Sequence, residues 1–182
     1  MRKFILLLSL TGGYCQFIAC NSATPEEYFG VAILNLNMMH GFAGAGLQRE
    51  LESPSVKMID GNKDNIAPMK RKEVIDDKIQ ILESNQEKLK ALKETDDSRD
   101  ILKASAAIYD YVLPVYKNEY TELAKLYDEN SPDDKIQSYT QSISDKYYAA
   151  YEQLFQKLTT AGKTFADKHG IKVNWDVKTS PR

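Results

Sequence analysis

The sequence predicts an all-α protein, specifically an antiparallel up-down four-helix bundle with a short extended C-terminal tail. Two observations favour this class: apolar residues recur every three or four positions over long stretches, and mostly short links join these stretches, as between antiparallel neighbours. The length of 182 residues suits one domain that can bury a core without a disulfide or a metal. The predicted domain covers 24–182.

The first predicted helix begins at Thr24, which can cap it, with Pro25 at the first helical position and Glu27 completing a capping box. Ser53-Pro54 ends it. Its glycines should weaken the helix and either admit another backbone or let the axis bend; they are Gly41, Gly44 and Gly46. The apolar stripe along it comprises Phe29, Ile33, Leu36, His40, Ala43 and Leu47.

The second predicted helix follows an irregular connection over 56–66 and starts at Pro68. Its apolar positions occupy one narrow face while the other faces are strongly charged, which predicts an outer helix that is mostly exposed. The stripe comprises Ile75, Ile79, Leu82, Gln86 and Leu89, with Leu92 beside it.

The third predicted helix has the widest apolar face, which favours contact with more than one neighbour. Pro114 lies within it and should bend the axis, because proline cannot donate a hydrogen bond back to Asp110. The stripe comprises Leu102, Ala106, Tyr109, Leu113, Tyr116, Tyr120, Leu123 and Tyr127.

The fourth predicted helix begins at Ser131-Pro132, with serine as the cap and acids in the first turn, and stops at Gly170. The stretch from Ile171 to Val177 alternates like a strand but has no evident partner. We interpret it as an extended tail over the bundle end, with Trp175 as an apolar plug. The stripe of this helix comprises Ile136, Thr140, Ile143, Tyr147, Ala150, Leu154, Leu158, Ala161 and Phe165.

The first nineteen residues have the features of a secretory leader: a basic start at Arg2 and Lys3, a short apolar run and small residues before the cut. The run is too short for a membrane-spanning helix, which needs about 20 apolar residues. Phe17-Ile18-Ala19-Cys20 resembles the lipobox of bacterial lipoproteins, although Phe17 replaces the usual leucine. The resemblance implies a lipoprotein signal peptide over 1–19, a lipidated Cys20 and a tether over 20–23.

Two other interpretations of the leader stay open, namely an ordinary secretory signal with an incidental cysteine and an N-terminal core helix. Cys15 is a poor lipidation site, because bulky Tyr14 precedes it. Cleavage before Cys20, with the Cys20 thiol lipidated, would leave no free thiol, which excludes disulfides and cysteine nucleophiles. It would also leave 22 cations against 26 acids, a net charge of -4 instead of -2. This acidity gives no reason to expect a nucleic-acid partner.

The residues give little support to an enzyme, a metal site or a cofactor. Carboxylate di-iron bundles use Glu-x-x-His pairs, which are absent, and the two histidines lie on different predicted helices. His40 falls on the first apolar stripe. We interpret it either as a hydrogen-bonded core histidine or as a group that lines a small polar pocket. His169 suits the negative end of the fourth helix. No Gly-x-Ser-x-Gly is present, and the glycines of 41–46 lack the ending of a phosphate-binding loop.

Tyrosine is the unusual feature: nine of the eleven tyrosines lie between Tyr109 and Tyr151. They either pack the core with their hydroxyls reaching water or line an aromatic groove for a ligand or partner. The candidate pocket residues are His40, Tyr109, Tyr116, Tyr120 and Tyr147.

Several stretches resemble uncharacterised helical surface lipoproteins of spirochaetes and Bacteroidota. They are Glu27-Tyr28, Val115-Tyr116, Glu119-Tyr120, 154–157 and 165–171. The resemblance implies a surface or lipid-anchored protein without an activity to transfer. We therefore expect a non-enzymatic binding or structural protein, held to the membrane by the lipid on Cys20, in the cell envelope and most consistently in the outer membrane. The membrane face stays open. The alternatives are a small-ligand carrier with a pocket near His40 and, more remotely, an enzyme.

Overall fold

The computed structural model describes residues 23–53 and 56–175, most of which lie in helices. The predicted leader and Cys20 lie outside the described residues, as does the end of the tail after Trp175. The α-helices are α1 Pro25–Ala32, α2 Ala45–Glu52, α3 Arg71–Ala91, α4 Arg99–Val115, α5 Thr121–Asp128 and α6 Asp133–His169. A 3₁₀ helix covers Leu34–Met39, a π-helix covers Tyr116–Tyr120, and two strands are β1 Val56–Ile59 and β2 Asn62–Pro68.

The first predicted helix is broken, which corrects the continuous helix expected from its stripe. It begins as predicted, with the Thr24–Glu27 capping box formed, but α1 gives way to the 3₁₀ helix and then to a turn over 40–44. Gly41 at φ +80° and Ala43 at φ +54° interrupt the helix there, because neither conformation belongs to a right-handed helix. We call residues 24–52 the N-terminal segment.

The predicted connection over 56–66 is wrong, and with it the all-α class, because β1 and β2 form an antiparallel hairpin. Asp60 and Gly61 make the two-residue turn, both at positive φ, as a type I′ hairpin turn requires. Met58 pairs with Ile66, and Val56 pairs with Pro68. The strands are exposed on both faces, so the sequence carries no alternation that would have revealed them.

Long antiparallel helices form the rest of the protein. The side chains of Gln86 and Asp110 bond at 2.9 Å, and Asp128 accepts hydrogen bonds from the backbone of Arg71 and Lys72 at 2.8 and 3.0 Å. These contacts show that α3 runs antiparallel to α4 and α5. Lys168 of α6 pairs with Asp97 just before α4, and the Tyr111 hydroxyl of α4 donates to the Tyr147 carbonyl of α6. These two contacts show that α6 runs antiparallel to α4.

The continuous rod from α4 to α5 matches the third predicted helix. Its stripe is buried or half-buried as expected. A π-helix follows shortly after Pro114, where the sequence predicts a bend of the axis. The Asn118 amide donates to the Pro114 carbonyl at 2.8 Å, and the Thr121 hydroxyl donates to the Tyr116 carbonyl at 3.1 Å. These side-chain bonds add donors to two backbone carbonyls at the π-helix, where the regular spacing of helical hydrogen bonds changes.

The N-terminal segment lies along the whole length of these helices. The Tyr28 hydroxyl donates to the Lys93 carbonyl beyond α3, whereas Arg71 at the start of α3 donates to the Leu51 carbonyl at 3.1 Å. We call the end near Tyr28 and Lys93 the N-terminal end, and the end near Arg71 the hairpin end. The segment therefore spans both ends.

The end of α6 follows the prediction, whereas the tail brings Trp175 back beside Gly162 of the same helix. Gly170 terminates the helix at φ +67°, and Trp175 packs edge-on against Phe29 with ring centroids 5.9 Å apart. An added Cβ on Gly162 would lie 2.8 Å from Ile33 and 3.2 Å from Trp175. The absent side chain of Gly162 therefore lets the tail and the N-terminal segment meet on α6.

Candidate functional site

Phe42, at the tip of the turn over 40–44, lies at the centre of an aromatic cluster. Its side chain is 1% exposed, and its ring centroid lies 4.9 to 6.3 Å from those of four tyrosines, within the range of favourable aromatic pairs. This Phe42 cluster comprises Phe42, Tyr111, Tyr116, Tyr120 and Tyr151. Four of the nine tyrosines between Tyr109 and Tyr151 therefore pack around one phenylalanine.

Two hydroxyls of the Phe42 cluster bind the backbone of the N-terminal segment. The amide of Ala43 donates to the Tyr120 hydroxyl at 2.6 Å, and the Tyr151 hydroxyl donates to the Met39 carbonyl at 2.9 Å. Burial raises the pKa of both tyrosines well above the ordinary value. Both hydroxyls stay neutral, so they hydrogen-bond the backbone of the turn without adding charge to the core.

Tyr147 lies at the outer edge of this aromatic region. Its ring packs edge-on against Tyr111 at 6.2 Å, its hydroxyl bonds the Glu119 carboxylate, and Lys146 lies 3.4 Å from the same carboxylate oxygen. Burial favours the neutral form of Glu119, but the bonds from Tyr147 and Lys146 outweigh it, so its pKa is below the ordinary value. The carboxylate thus joins the π-helix to α6.

Replacing Glu119 with glutamine should lower the free energy of unfolding by about 1 kcal/mol at neutral pH. A carboxyl group whose pKa is lower in the folded than in the unfolded protein stabilises above its unfolded value, about 4.3, and loses this contribution as pH falls through the folded value. The difference in free energy of unfolding between wild type and E119Q should therefore shrink as the pH is lowered. Urea unfolding between pH 7 and pH 3 measures this difference. Exposed Glu87→Gln is the control, and an E119Q loss independent of pH would contradict this origin.

The five candidate pocket residues do not share one environment. Tyr116 and Tyr120 pack ring to ring at 4.6 Å within the Phe42 cluster, and Tyr147 joins it through Tyr111. His40 is exposed, so its predicted place on a buried stripe is wrong, because the helix ends before it and the chain turns. Tyr109 is fully buried.

An open groove of about 820 Å³ lies between the start of α4 and the second half of α6. It is lined by the apolar side chains of Ile101, Ala104, Ala161 and Phe165. Acids of the loop before α4 and of its first turn, and amides, hydroxyls and lysines of α6, also line it. Lys168 and Asp97 pair across one end. The groove can contact a molecule that has both polar and apolar parts.

Sequence reasoning missed this groove, although a signal was present. Ala104 and Ala161 are small residues on facing helices, and Gln156, Thr160 and Thr164 place polar groups beside the apolar stripe of α6. Residue types alone do not show whether such a helix face is covered by a neighbour.

The hairpin end carries most of the exposed large apolar side chains. Val56 and Met58 of β1 are 57% and 56% exposed, and Ile66 of β2 is 55% exposed. Cross-strand pairing places them on one face with Pro68. The hairpin is tied to α3 through Lys57 and Glu73.

None of the helices in the described residues is long and apolar enough to cross a membrane. Within the same residues no group of three or more histidine, cysteine, aspartate or glutamate side chains is placed to hold a metal ion. Comparison with known proteins found no matching family model, no matching curated protein and no matching solved structure.

Proposed function

We propose that this protein is a lipid-anchored, non-enzymatic helical protein of the cell envelope, attached through Cys20 to the outer membrane, where it serves as a binding or structural element. The lipobox-like residues 17–20 support the anchor. Three acyl chains on one cysteine, as in bacterial lipoproteins, would suffice for stable attachment to the membrane, because one chain anchors only marginally whereas several anchor stably.

The position of the N-terminal segment supports this proposal most directly. Thr24 caps α1 at the N-terminal end, and three residues separate it from Cys20 in the sequence. Three extended residues reach at most about 10 Å, so a lipid on Cys20 would hold this end close to the headgroups.

The same arrangement would carry the hairpin away from the membrane. The 37 residues of α6 have a length of about 55 Å at the rise of an α-helix, and α6 begins near the hairpin end. The exposed apolar side chains of the hairpin would then lie far from the anchored surface. A partner could reach them there.

The alternative of a small-ligand carrier with its pocket near His40 has less support, because His40 is exposed and the tyrosines expected beside it pack around Phe42. An enzyme has no observation in its favour among the described residues.

Radiolabelled palmitate should be incorporated by the wild-type protein in bacterial cells and lost completely in Cys20→Ala. Cys15→Ala is the matched control, since the lipobox-like residues precede Cys20 alone, and it should label like wild type. Equal labelling of wild type and Cys20→Ala would refute the anchor.

The orientation is testable with single thiols, because a mature lipidated chain has no free cysteine. We expect a dye on Asp96→Cys, at the N-terminal end, to be quenched by a quencher in the lipid headgroups of vesicles carrying the purified lipoprotein. A dye on Lys63→Cys, in the hairpin, should keep its fluorescence. Equal quenching at both positions would show that the body does not stand on its N-terminal end.

A further inference from the structure

Two hydroxyls in the core of α4 lack a hydrogen-bond partner anywhere in the described part of the chain. They belong to Ser105 and Tyr109, and both residues are 0% exposed. Burying a hydroxyl without a partner is costly, and nearly all buried polar atoms in folded proteins bond either to protein or to an ordered water.

The unpaired state of Ser105 is not the usual arrangement in this protein. Four threonines of α6 donate to the carbonyl one turn earlier, at 2.9 to 3.1 Å. Ser105 makes no such bond to the carbonyl of Ile101. Its hydroxyl is therefore available for another molecule.

The two hydroxyls belong to one small region. Ser105 and Tyr109 are four residues apart in α4 and so share a helix face, and a tyrosine in a helix leans back over the preceding turn, which carries its hydroxyl toward Ser105. The neighbours of α4 are α1, α3 and α6. Both hydroxyls thus face the space that these helices enclose.

We propose that Ser105 and Tyr109 form an internal binding site for one water molecule. A water that bridges both hydroxyls donates to one and accepts from the other, and buried waters typically have two to four polar partners. Burial raises the pKa of Tyr109 to about 12, so its hydroxyl keeps its proton and can donate.

The test is the sign of the stability change in Tyr109→Phe, measured by urea unfolding of the full chain. Loss of a bridged hydroxyl should lower the folding equilibrium constant about five-fold to ten-fold. Loss of an unpaired hydroxyl should leave the constant unchanged or raise it, which would overturn the proposal. Tyr151→Phe, which removes an observed bond to Met39, calibrates the size of the effect.

Ser105→Ala and the double variant test whether the two hydroxyls share one water. The combined loss should be clearly smaller than the product of the single losses, because each single variant already disrupts the bridge. Additive losses would show that the hydroxyls act separately and would overturn the shared site.

Nuclear magnetic resonance of the wild-type protein is an independent test. It should detect a long-lived water close to the Tyr109 ring, and the absence of such a water would also refute the site.

Discussion

Replacement of Phe42 by alanine should lower the free energy of unfolding by about 3–5 kcal/mol. Phe42 is 1% exposed and packs against four tyrosine rings, so truncation leaves a cavity among side chains that are held by their own hydrogen bonds. The loss also removes the aromatic pairings, each worth about 0.5–1.5 kcal/mol beyond area burial. Chemical denaturation followed by circular dichroism measures this change.

Leu34→Ala is the control for Phe42→Ala, since Leu34 lies in the same N-terminal segment but is 50% exposed. We expect a change below about 1 kcal/mol there. If the two variants lost similar stability, Phe42 would not hold the segment in the core. Phe42→Leu should fall between them, because it refills part of the cavity.

Replacement of Gly41 by alanine should lower the free energy of unfolding by about 2–5 kcal/mol. At φ +80° a side chain costs about 1–2 kcal/mol, and the added Cβ would lie 2.7 Å from the Cα of Gly46. Backbone cannot move aside as a flexible side chain can, so overpacking adds about 1–3 kcal/mol. Thermal and urea unfolding should agree on the loss.

Two other glycines separate the contributions to the Gly41 effect. Gly61 is at φ +69° with open space around it, so Gly61→Ala should show only the conformational cost. Gly30 lies in α1 with open space and an ordinary helical backbone, so Gly30→Ala should raise stability by up to about 1 kcal/mol. A Gly41→Ala loss no larger than that of Gly61→Ala would disprove the close backbone contact.

The long helices could be predicted because their burial is periodic. The stripe of the third predicted helix is buried or half-buried throughout α4 to α5, and Gly170 ends α6 as expected. In α6 the stripe drifts: Tyr151 is buried whereas Ala150 is exposed, because α6 packs against different elements along its length. The predicted cap at Ser131 is also wrong, since Pro132 precedes α6 without a side-chain cap bond.

The remaining features depend on contacts between distant residues. Asp128 caps the start of α3 from 56 or 57 residues away, and nothing local marks that role. The sequence predicts that the glycines over 41–46 either admit another backbone or let the axis bend. In the structure Gly41 and Gly46 approach each other within one turn, with an added Cβ on Gly41 only 2.7 Å from the Cα of Gly46. Phe42 was absent from the candidate residues because its role exists only once the turn carries it between α4 and α6.

The route of the N-terminal segment has a mechanical consequence for a chain held by its first residues. A pull on that end, directed along the long axis, would load the contacts of α1, the Phe42 ring and the two tyrosine bonds in shear rather than one after another. Contacts loaded together resist far more force than contacts that peel singly. If the proposed anchor on Cys20 is present, a force on it would be resisted by these contacts together while the rest of the fold stays intact.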